Sequence, residues 1–338
     1  MTSMIASLPL TIRRLIVLVL MTLAFAMPAE AQNRDAIESA LNSVVRLNAE
    51  VPADARTASF LGTHRRGTGI VIDDGGLVLT IGYLILEAMA VTVTSADGYP
   101  VPAKIVAYDY DTGFGLVRAT EPLNRPSVRL GDSAAVNAGE QVLIVAQPGL
   151  GAAVPSQVVD VRRFTGYWEY LLDDALFVSP AHPEWQGAAL ININGELLGV
   201  GSLFADDAQR RPERQPGNMF VPVDALKPIL GDLLTEGRSA SSDRPWLGVF
   251  TSDARGFVVV TFVAPDGPAA EAGLRPGDVV LEVGGKRVST MADFFRSIWD
   301  QGKPGVKVPL TLARDNQVTR IDVTSADRYR YMKLDSSF

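Results

Sequence analysis

The residues best suited to nucleophilic chemistry in this sequence lie around its two histidines, His64 and His182, because the chain contains no cysteine. Ser179 precedes His182 by three residues, and a serine beside a histidine base is a common arrangement for hydrolysing ester and amide bonds. Asp109 and Asp111 are candidates for orienting such a base. Proximity in sequence does not supply base, orienting group and oxyanion donors together, so we favour a locally satisfied loop histidine and two turn carboxylates.

Short β-type runs dominate the chain from residue 67 onward, with Gly, Pro, Asn and Asp between them. These runs are TGIVI, LVLTI, AVTVTS, AKIVAY, QVLIVA, SQVVDV, ALININ and ELLGVGS. Many short strands separated by turn residues predict a sandwich or a barrel. A helix is predicted before them, roughly over 34–47, and a second one over 223–230, where Pro228 interrupts it.

The composition changes near residue 240 and predicts two folded units. Residues 237–245, GRSASSDRP, are small and polar, as in a linker. After them come WLGVF, the strand GFVVVTFV, the run APDGPAAEAGLRPGDVVLEVGGKRV, a helix near 289–301 and the strand VKVPLTLAR. We therefore predict one domain over 32–236, a second over 246–326 and a tail over 327–338.

The first 31 residues have the pattern of a secretory signal peptide. Arg13 and Arg14 precede the 13-residue apolar run LIVLVLMTLAFAM, and the small-x-small sequence AEA ends at Ala31. An apolar run of this length is shorter than the roughly 18–20 residues that span a bilayer, so cleavage after Ala31 is favoured over a membrane anchor. The sequence predicts a periplasmic or secreted protein.

The charge balance argues against a nucleic acid partner. The formal net charge is −7, whereas phosphate binding needs clustered Lys and Arg. The short basic runs HRR (64–66) and RRPER (210–214) are predicted to be solvated loop charges. No metal-ligand spacing, phosphate loop or dinucleotide fingerprint stands out, so we predict neither a metal nor a cofactor.

Taken together, these segments resemble the HtrA (Deg) family of exported serine proteases, which join a signal peptide, a trypsin-like double β-barrel and a PDZ domain. The PDZ half carries the more specific likeness, in PAAEAGLRPGDVVLEVGGKRV. In the barrel half, the GTG at 67–69 resembles the entry to the strand before the catalytic histidine, and GGLVLT (75–80) resembles the strand leading into it. The resemblance implies a fold dominated by β-strands, a chymotrypsin-like double β-barrel followed by an α+β PDZ domain.

At the catalytic positions implied by this resemblance, the chain carries other residues. The base position falls on Tyr83 in TIGY, the orienting aspartate on Gly113 in TGFG, and the nucleophile on Gln186 in PEWQGAALI. A phenol with a pKa near about 10 is a poor base at neutral pH, glycine has no side chain to orient a base, and an amide is no nucleophile. Glu184 replaces a small glycine beside the oxyanion hole. We therefore predict an inactive homologue without catalytic residues.

The PDZ half retains its binding apparatus in the sequence. The resemblance implies a loop whose backbone N–H groups receive a peptide's C-terminal carboxylate, beside a strand that pairs with the peptide. On the helix MADFFRSIWD, two apolar residues spaced i and i+4 are predicted to form the other wall of the groove, with Phe295 and Trp299 facing elsewhere. The alternative is that all four belong to the core. The predicted peptide-binding residues are Trp246, Leu247, Gly248, Val249, Phe294 and Ile298.

The sequence thus predicts an exported, catalytically silent HtrA-like protein that binds C-termini or exposed apolar segments of other proteins. It would act as a scaffold, a holdase or a regulator of an active HtrA-type protease. One alternative is an active serine endopeptidase of periplasmic protein quality control with a displaced catalytic set. Another is a structural subunit of an HtrA-type homo- or heterotrimer. Residues 335–338, DSSF, resemble a PDZ ligand, which leads us to hypothesise self-binding by the tail.

Overall fold

The computed structural model of the protein describes residues 33–96, 98–146, 153–210 and 213–332. The predicted signal peptide lies outside these ranges. In the described part of the chain, no helix has both the length and the apolar character needed to cross a membrane. Strands predominate over helices, as the sequence predicted.

The first six strands close into an antiparallel barrel in the order β1-β2-β3-β6-β5-β4. They are β1 (Val44–Glu50), β2 (His64–Val71), β3 (Leu77–Ile81), β4 (Ala90–Thr94), β5 (Pro100–Tyr108) and β6 (Phe114–Ala119). Two helices accompany them, α1 over 33–42 and α2 over Ala58–Leu61. The predicted helix over 34–47 is correct to residue 42 and wrong from residue 43 onward, because β1 places alternating apolar side chains in the barrel core and pairs with both β2 and β4.

Seven strands form the second barrel. They are β7 (Arg129–Leu130), β8 (Gln141–Val145), β9 (Ala153–Gly166), β10 (Tyr170–Ser179), β11 (Ala189–Asn192), β12 (Glu196–Gln209) and β13 (Gln215–Pro222). Pairing of β11 with β12 closes the ring, and β7 joins β12 in parallel. The predicted closing helix at 223–230 is instead a 3₁₀ turn, Val223–Ala225, followed by helix α3 at Leu230–Glu236. The helix starts beyond Pro228, since proline disfavours helical geometry at the preceding residue.

The third unit is a six-stranded sheet in the order β14-β15-β16-β18-β19, with β17 paired to β16. Its strands are β14 (Val249–Ala254), β15 (Phe257–Val263), β16 (Val279–Val283), β17 (Lys286–Arg287), β18 (Lys307–Arg314) and β19 (Gln317–Thr324). Its helices are α4 (Pro268–Glu271), α5 (Met291–Trp299) and α6 (Arg328–Tyr331). Helix α5 is capped by Thr290, whose side chain accepts a hydrogen bond from the Asp293 N–H.

One basic residue predicted to be solvated is part of the interior. Arg65 is only 4% exposed, and its guanidinium donates to the carbonyls of Tyr83 (2.7 Å) and Leu86 (2.8 Å) and to the hydroxyl of Thr57 (2.7 Å). Burial lowers the pKa of Arg65. The prediction for HRR is therefore wrong at its central residue, because strand alternation turns Arg65 inward while His64 and Arg66 stay exposed.

Two arginines of the linker predicted over 237–245 contact the third unit and the first barrel. Arg238 pairs with Asp327 at 3.1 Å, and Arg244 pairs with Asp111 at 3.2 Å. The Tyr329 hydroxyl of α6 donates to the Tyr108 carbonyl of the first barrel at 2.9 Å. The sheet unit is therefore in direct contact with the barrels.

Candidate functional site

The three positions implied for a catalytic triad converge between the two barrels. Tyr83 follows β3 in a 3₁₀ turn, and the N–H of the neighbouring Gly82 donates to the Gly113 carbonyl at 2.7 Å. Gly67 lies against both the turn and the carbonyl of Gln186, where an added Cβ would collide. The three positions assigned by the resemblance therefore lie close together in the folded chain.

Tyr83, at the base position, is held as a neutral hydrogen-bond donor. Its hydroxyl donates to the Ser202 carbonyl at 2.9 Å. Burial raises the pKa of Tyr83 well above its ordinary value. A phenol that is committed to a carbonyl and resists ionisation cannot accept a proton from a nucleophile.

Gly113, at the orienting position, is poorly suited to an aspartate. Its φ is +81°, in the left-handed region that favours glycine. A Cβ added there would lie 3.3 Å from the Tyr170 hydroxyl. Tyr170 is 4% exposed and donates to the Thr112 carbonyl at 2.6 Å, so a buried tyrosine borders the position where the carboxylate would stand.

Gln186 lines an open cleft of about 500 Å³ between the barrels. Its main-chain carbonyl accepts from the Thr68 N–H at 2.9 Å. The cleft is also lined by Glu184, a carboxylate near the place where negative charge would develop during acyl transfer. Arg46 of β1 and Arg66 of β2 line the opposite side of the cleft. The cleft thus lies between the barrels and is lined by an amide, Gln186, at the position where the resemblance places the nucleophile.

Ser179 and His182, the displaced pair considered from the sequence, both form hydrogen bonds with main-chain groups. The Ser179 hydroxyl donates to the Pro216 carbonyl at 3.0 Å. Nδ1 of His182 accepts from the Glu184 N–H at 3.0 Å, and burial lowers the pKa of His182. His182 is therefore a neutral imidazole that stabilises its own turn, as the favoured interpretation of the sequence has it.

Asp109 and Asp111 lie in the turn after β5. One oxygen of Asp109 accepts from the Thr112 N–H at 2.8 Å and from its hydroxyl at 2.6 Å, which is an Asx-type turn. Asp111 pairs with Arg244 of the linker. Burial raises the pKa of Asp111 to about 7, against the attraction of Arg244. The Asp109 carboxylate therefore stabilises the turn, and the Asp111 carboxylate contacts the linker.

The raised pKa of Asp111 predicts a stability that falls as the pH rises. Between its ordinary pKa of 3.8 and its folded value of about 7, the folded protein holds a proton that the unfolded chain has lost. The stabilisation is full below the lower value and is lost through pH 7. From pH 5 to pH 8, we expect wild type to lose about 2 kcal/mol more stability than Asp111→Asn. Melting temperatures across this range measure the difference, and exposed Asp206→Asn should follow wild type. Parallel curves for Asp111→Asn and wild type would exclude the effect.

The N–H groups of the predicted carboxylate-binding loop bind a carboxylate of this same chain. The N–H groups of Leu247, Gly248 and Val249 donate to the Glu169 carboxylate, at 3.3, 2.8 and 3.0 Å. The remaining predicted loop residue, Trp246, donates its N–H to the Ala326 carbonyl. Three of the four predicted loop residues therefore donate to one carboxylate, which belongs to the second barrel.

The structure places the two predicted wall residues of α5 in the core. Phe294 and Ile298 are fully buried, as is Phe295, because the apolar face of α5 packs on the sheet. The side of α5 that meets the second barrel carries Arg296, which contacts Asp173 of β10, and Trp299 stacks under Arg244 at 4.3 Å. The exposed wall of the groove is thus more polar than the sequence predicted.

Sequence reasoning missed Glu169. This residue lies 78–80 positions before the groove in the chain, in a turn rich in aromatics, YWEY, and nothing in the PDZ half refers to it. The hypothesis of self-binding by the tail concerns residues outside the described ranges, which end at residue 332. In the part of the chain that the structure describes, no group of three or more acidic, His or Cys side chains could hold a metal ion.

The fold and the converging positions define a trypsin-like double barrel followed by a PDZ domain. Models of the trypsin-like peptidase domain and the PDZ domain match residues 67–200 and 245–324. The chain is 30% identical over 278 residues to a probable periplasmic serine endoprotease DegP-like of Brucella suis, covering 77% of this chain and 52% of the relative. It is 26% identical over 278 residues to the periplasmic serine endoprotease DegP of Escherichia coli K12, covering 76% and 56%.

Solved structures share the same architecture. The HtrA-type protease AlgW with a decapeptide superposes with a TM-score of 0.55 at 20% identity, covering 88% of this chain and 98% of that one. The serine endoprotease from Yersinia pestis gives 0.53 at 22%, covering 87% and 97%. The chain belongs to the HtrA-type family. It spans about half the length of the curated relatives it matches.

Proposed function

We propose that this chain is an exported pseudoprotease of the HtrA type, which binds the C-termini or exposed apolar segments of other proteins through its PDZ domain. The observation that carries the proposal is the cluster of Tyr83, Gly113 and Gln186, where a serine protease needs a base, an orienting carboxylate and a nucleophile. Fold and chemistry separate in this way when activity depends on a few site residues.

The intact PDZ architecture supports the binding half of the proposal. A loop with three converging N–H groups beside an edge strand is the apparatus for holding a peptide carboxylate and extending the sheet. The curated relatives are named as periplasmic endoproteases, so the partners that suit this chain are periplasmic proteins, including an active HtrA-type protease. Scaffold, regulator and holdase are three uses of the same binding chemistry.

A paired assay on residues 32–338 tests the proposal. Fluorescein-labelled decapeptides of random sequence with a fixed C-terminal phenylalanine should bind with a free carboxylate and lose most of their affinity as C-terminal amides, because the amide removes the charged acceptor. The same preparation should leave unfolded casein intact. Equal anisotropy for acid and amide pools would remove the PDZ part of the proposal, and casein turnover would remove the pseudoprotease part.

A further inference from the structure

The groove of the PDZ domain is filled by a segment of the second barrel. The segment, here called the latch, comprises Tyr167, Trp168 and Glu169 at the turn between β9 and β10. Glu169 is 5% exposed, and its two carboxylate oxygens accept hydrogen bonds from the three N–H groups of the carboxylate-binding loop. A carboxylate therefore already occupies the place that a ligand's C-terminus would take.

The main chain of the latch also forms a hydrogen bond with the edge strand β14. The Thr251 N–H donates to the Tyr167 carbonyl at 3.0 Å, and the rings of Tyr167 and Phe250 lie 5.9 Å apart. Peptides that extend a PDZ sheet combine a carboxylate in the loop with main-chain bonds to the adjoining strand. The latch makes both kinds of contact.

The barrel braces the latch from behind. Trp168 stacks on Tyr170 at 5.5 Å and packs against Phe164 at 6.2 Å. On the helix side of the groove, Asp173 accepts from Arg296 of α5. Glu169 has a φ of +56°, a conformation uncommon for residues other than glycine. This backbone strain persists because three N–H donors hold the Glu169 carboxylate in place.

We propose that Glu169 is an internal ligand of the PDZ groove and that a polypeptide with a free C-terminal carboxylate binds by displacing the latch. The first half stands on the contacts of Glu169 alone, whereas the second half rests on the proposed peptide-binding function. Three N–H groups cannot serve two carboxylates, so latch docking and ligand binding exclude each other. The measured affinity is then the intrinsic affinity multiplied by the fraction of molecules whose groove is open.

Hydrogen exchange without any ligand tests the first half. In Glu169→Ala of residues 32–338, the amides of Leu247, Gly248 and Val249 should exchange at least about tenfold faster than in wild type, because their acceptor is gone. Glu169→Gln keeps the size of the side chain and one acceptor oxygen, so a smaller increase is expected and misfolding is not at issue. Asp174→Asn, an exposed carboxylate on the same hairpin, should match wild type. Unchanged exchange in both Glu169 variants overturns the latch.

Peptide binding tests the second half with the same variants. The phenylalanine-ended decapeptide pool should bind Glu169→Ala at least about tenfold more tightly than wild type, and Asp174→Asn should not differ from wild type. Faster exchange without any peptide binding would retain the latch and overturn the proposed peptide-binding function. Binding of equal strength to wild type and Glu169→Ala would overturn displacement of the latch by the ligand.

Discussion

Introducing the residues of an active protease together, as Tyr83→His, Gly113→Asp and Gln186→Ser, is expected to lower the free energy of unfolding by about 3–5 kcal/mol and to leave unfolded casein uncut. Aspartate at position 113 must adopt a left-handed backbone and crowd the buried Tyr170. Histidine at position 83 loses the hydroxyl bond to the Ser202 carbonyl and leaves buried volume unfilled. Without the orienting carboxylate in its proper geometry, the new serine and histidine cannot act as a unit.

Urea unfolding followed by tryptophan fluorescence measures the stability of the triple variant. Gln186→Ser alone is the matched control, because it keeps Tyr83 and Gly113. It should stay within about 1 kcal/mol of wild type and should be equally inactive. A triple variant as stable as wild type would show that the triad residues fit these positions without strain, and casein cleavage by Gln186→Ser would show that a working base is already present.

The largest effect outside the cleft is expected at Arg65. Arg65→Ala should destabilise the protein by about 3–5 kcal/mol, because it leaves the buried carbonyls of Tyr83 and Leu86 without donors and opens a cavity. Thermal unfolding monitored by circular dichroism measures the loss. The neighbouring Arg66→Ala removes an exposed guanidinium from the same strand and should change stability by less than about 0.5 kcal/mol. Similar melting temperatures for the two variants would refute the role of Arg65 as an interior donor.

The strands could be predicted because their signals are local, whereas the double barrel followed by a PDZ domain was implied by the family resemblance. Turn residues between short apolar runs predict strands wherever they occur, and the strand order of both barrels joins many neighbours in sequence. The helix predicted over 34–47 was wrong only beyond residue 42, because the apolar residues of VVRL fit either period until the barrel provides two strand partners for residues 44–50. Tertiary pairing decided that segment.

The candidate site could be predicted only where the resemblance gave a position. Tyr83, Gly113 and Gln186 could be matched to a motif, whereas Arg65 and Glu169 owe their roles to partners that only the folded chain brings to them. The Glu169 carboxylate meets donors 78–80 residues away, and no periodicity in the chain records such a contact. Phe294 and Ile298 show the complementary difficulty, since an i, i+4 pair fits a core face and a groove wall equally well.

The central claim is that an HtrA-type fold here carries no working nucleophile. It is tested most directly by incubating residues 32–338 with a biotinylated fluorophosphonate and measuring the intact mass, with active trypsin as the labelled reference. We expect no mass increase above a heat-denatured control, because Gln186 is no nucleophile and Ser179 donates to the Pro216 carbonyl. Labelling in proportion to the protein, at Ser179 or any other serine, would contradict it.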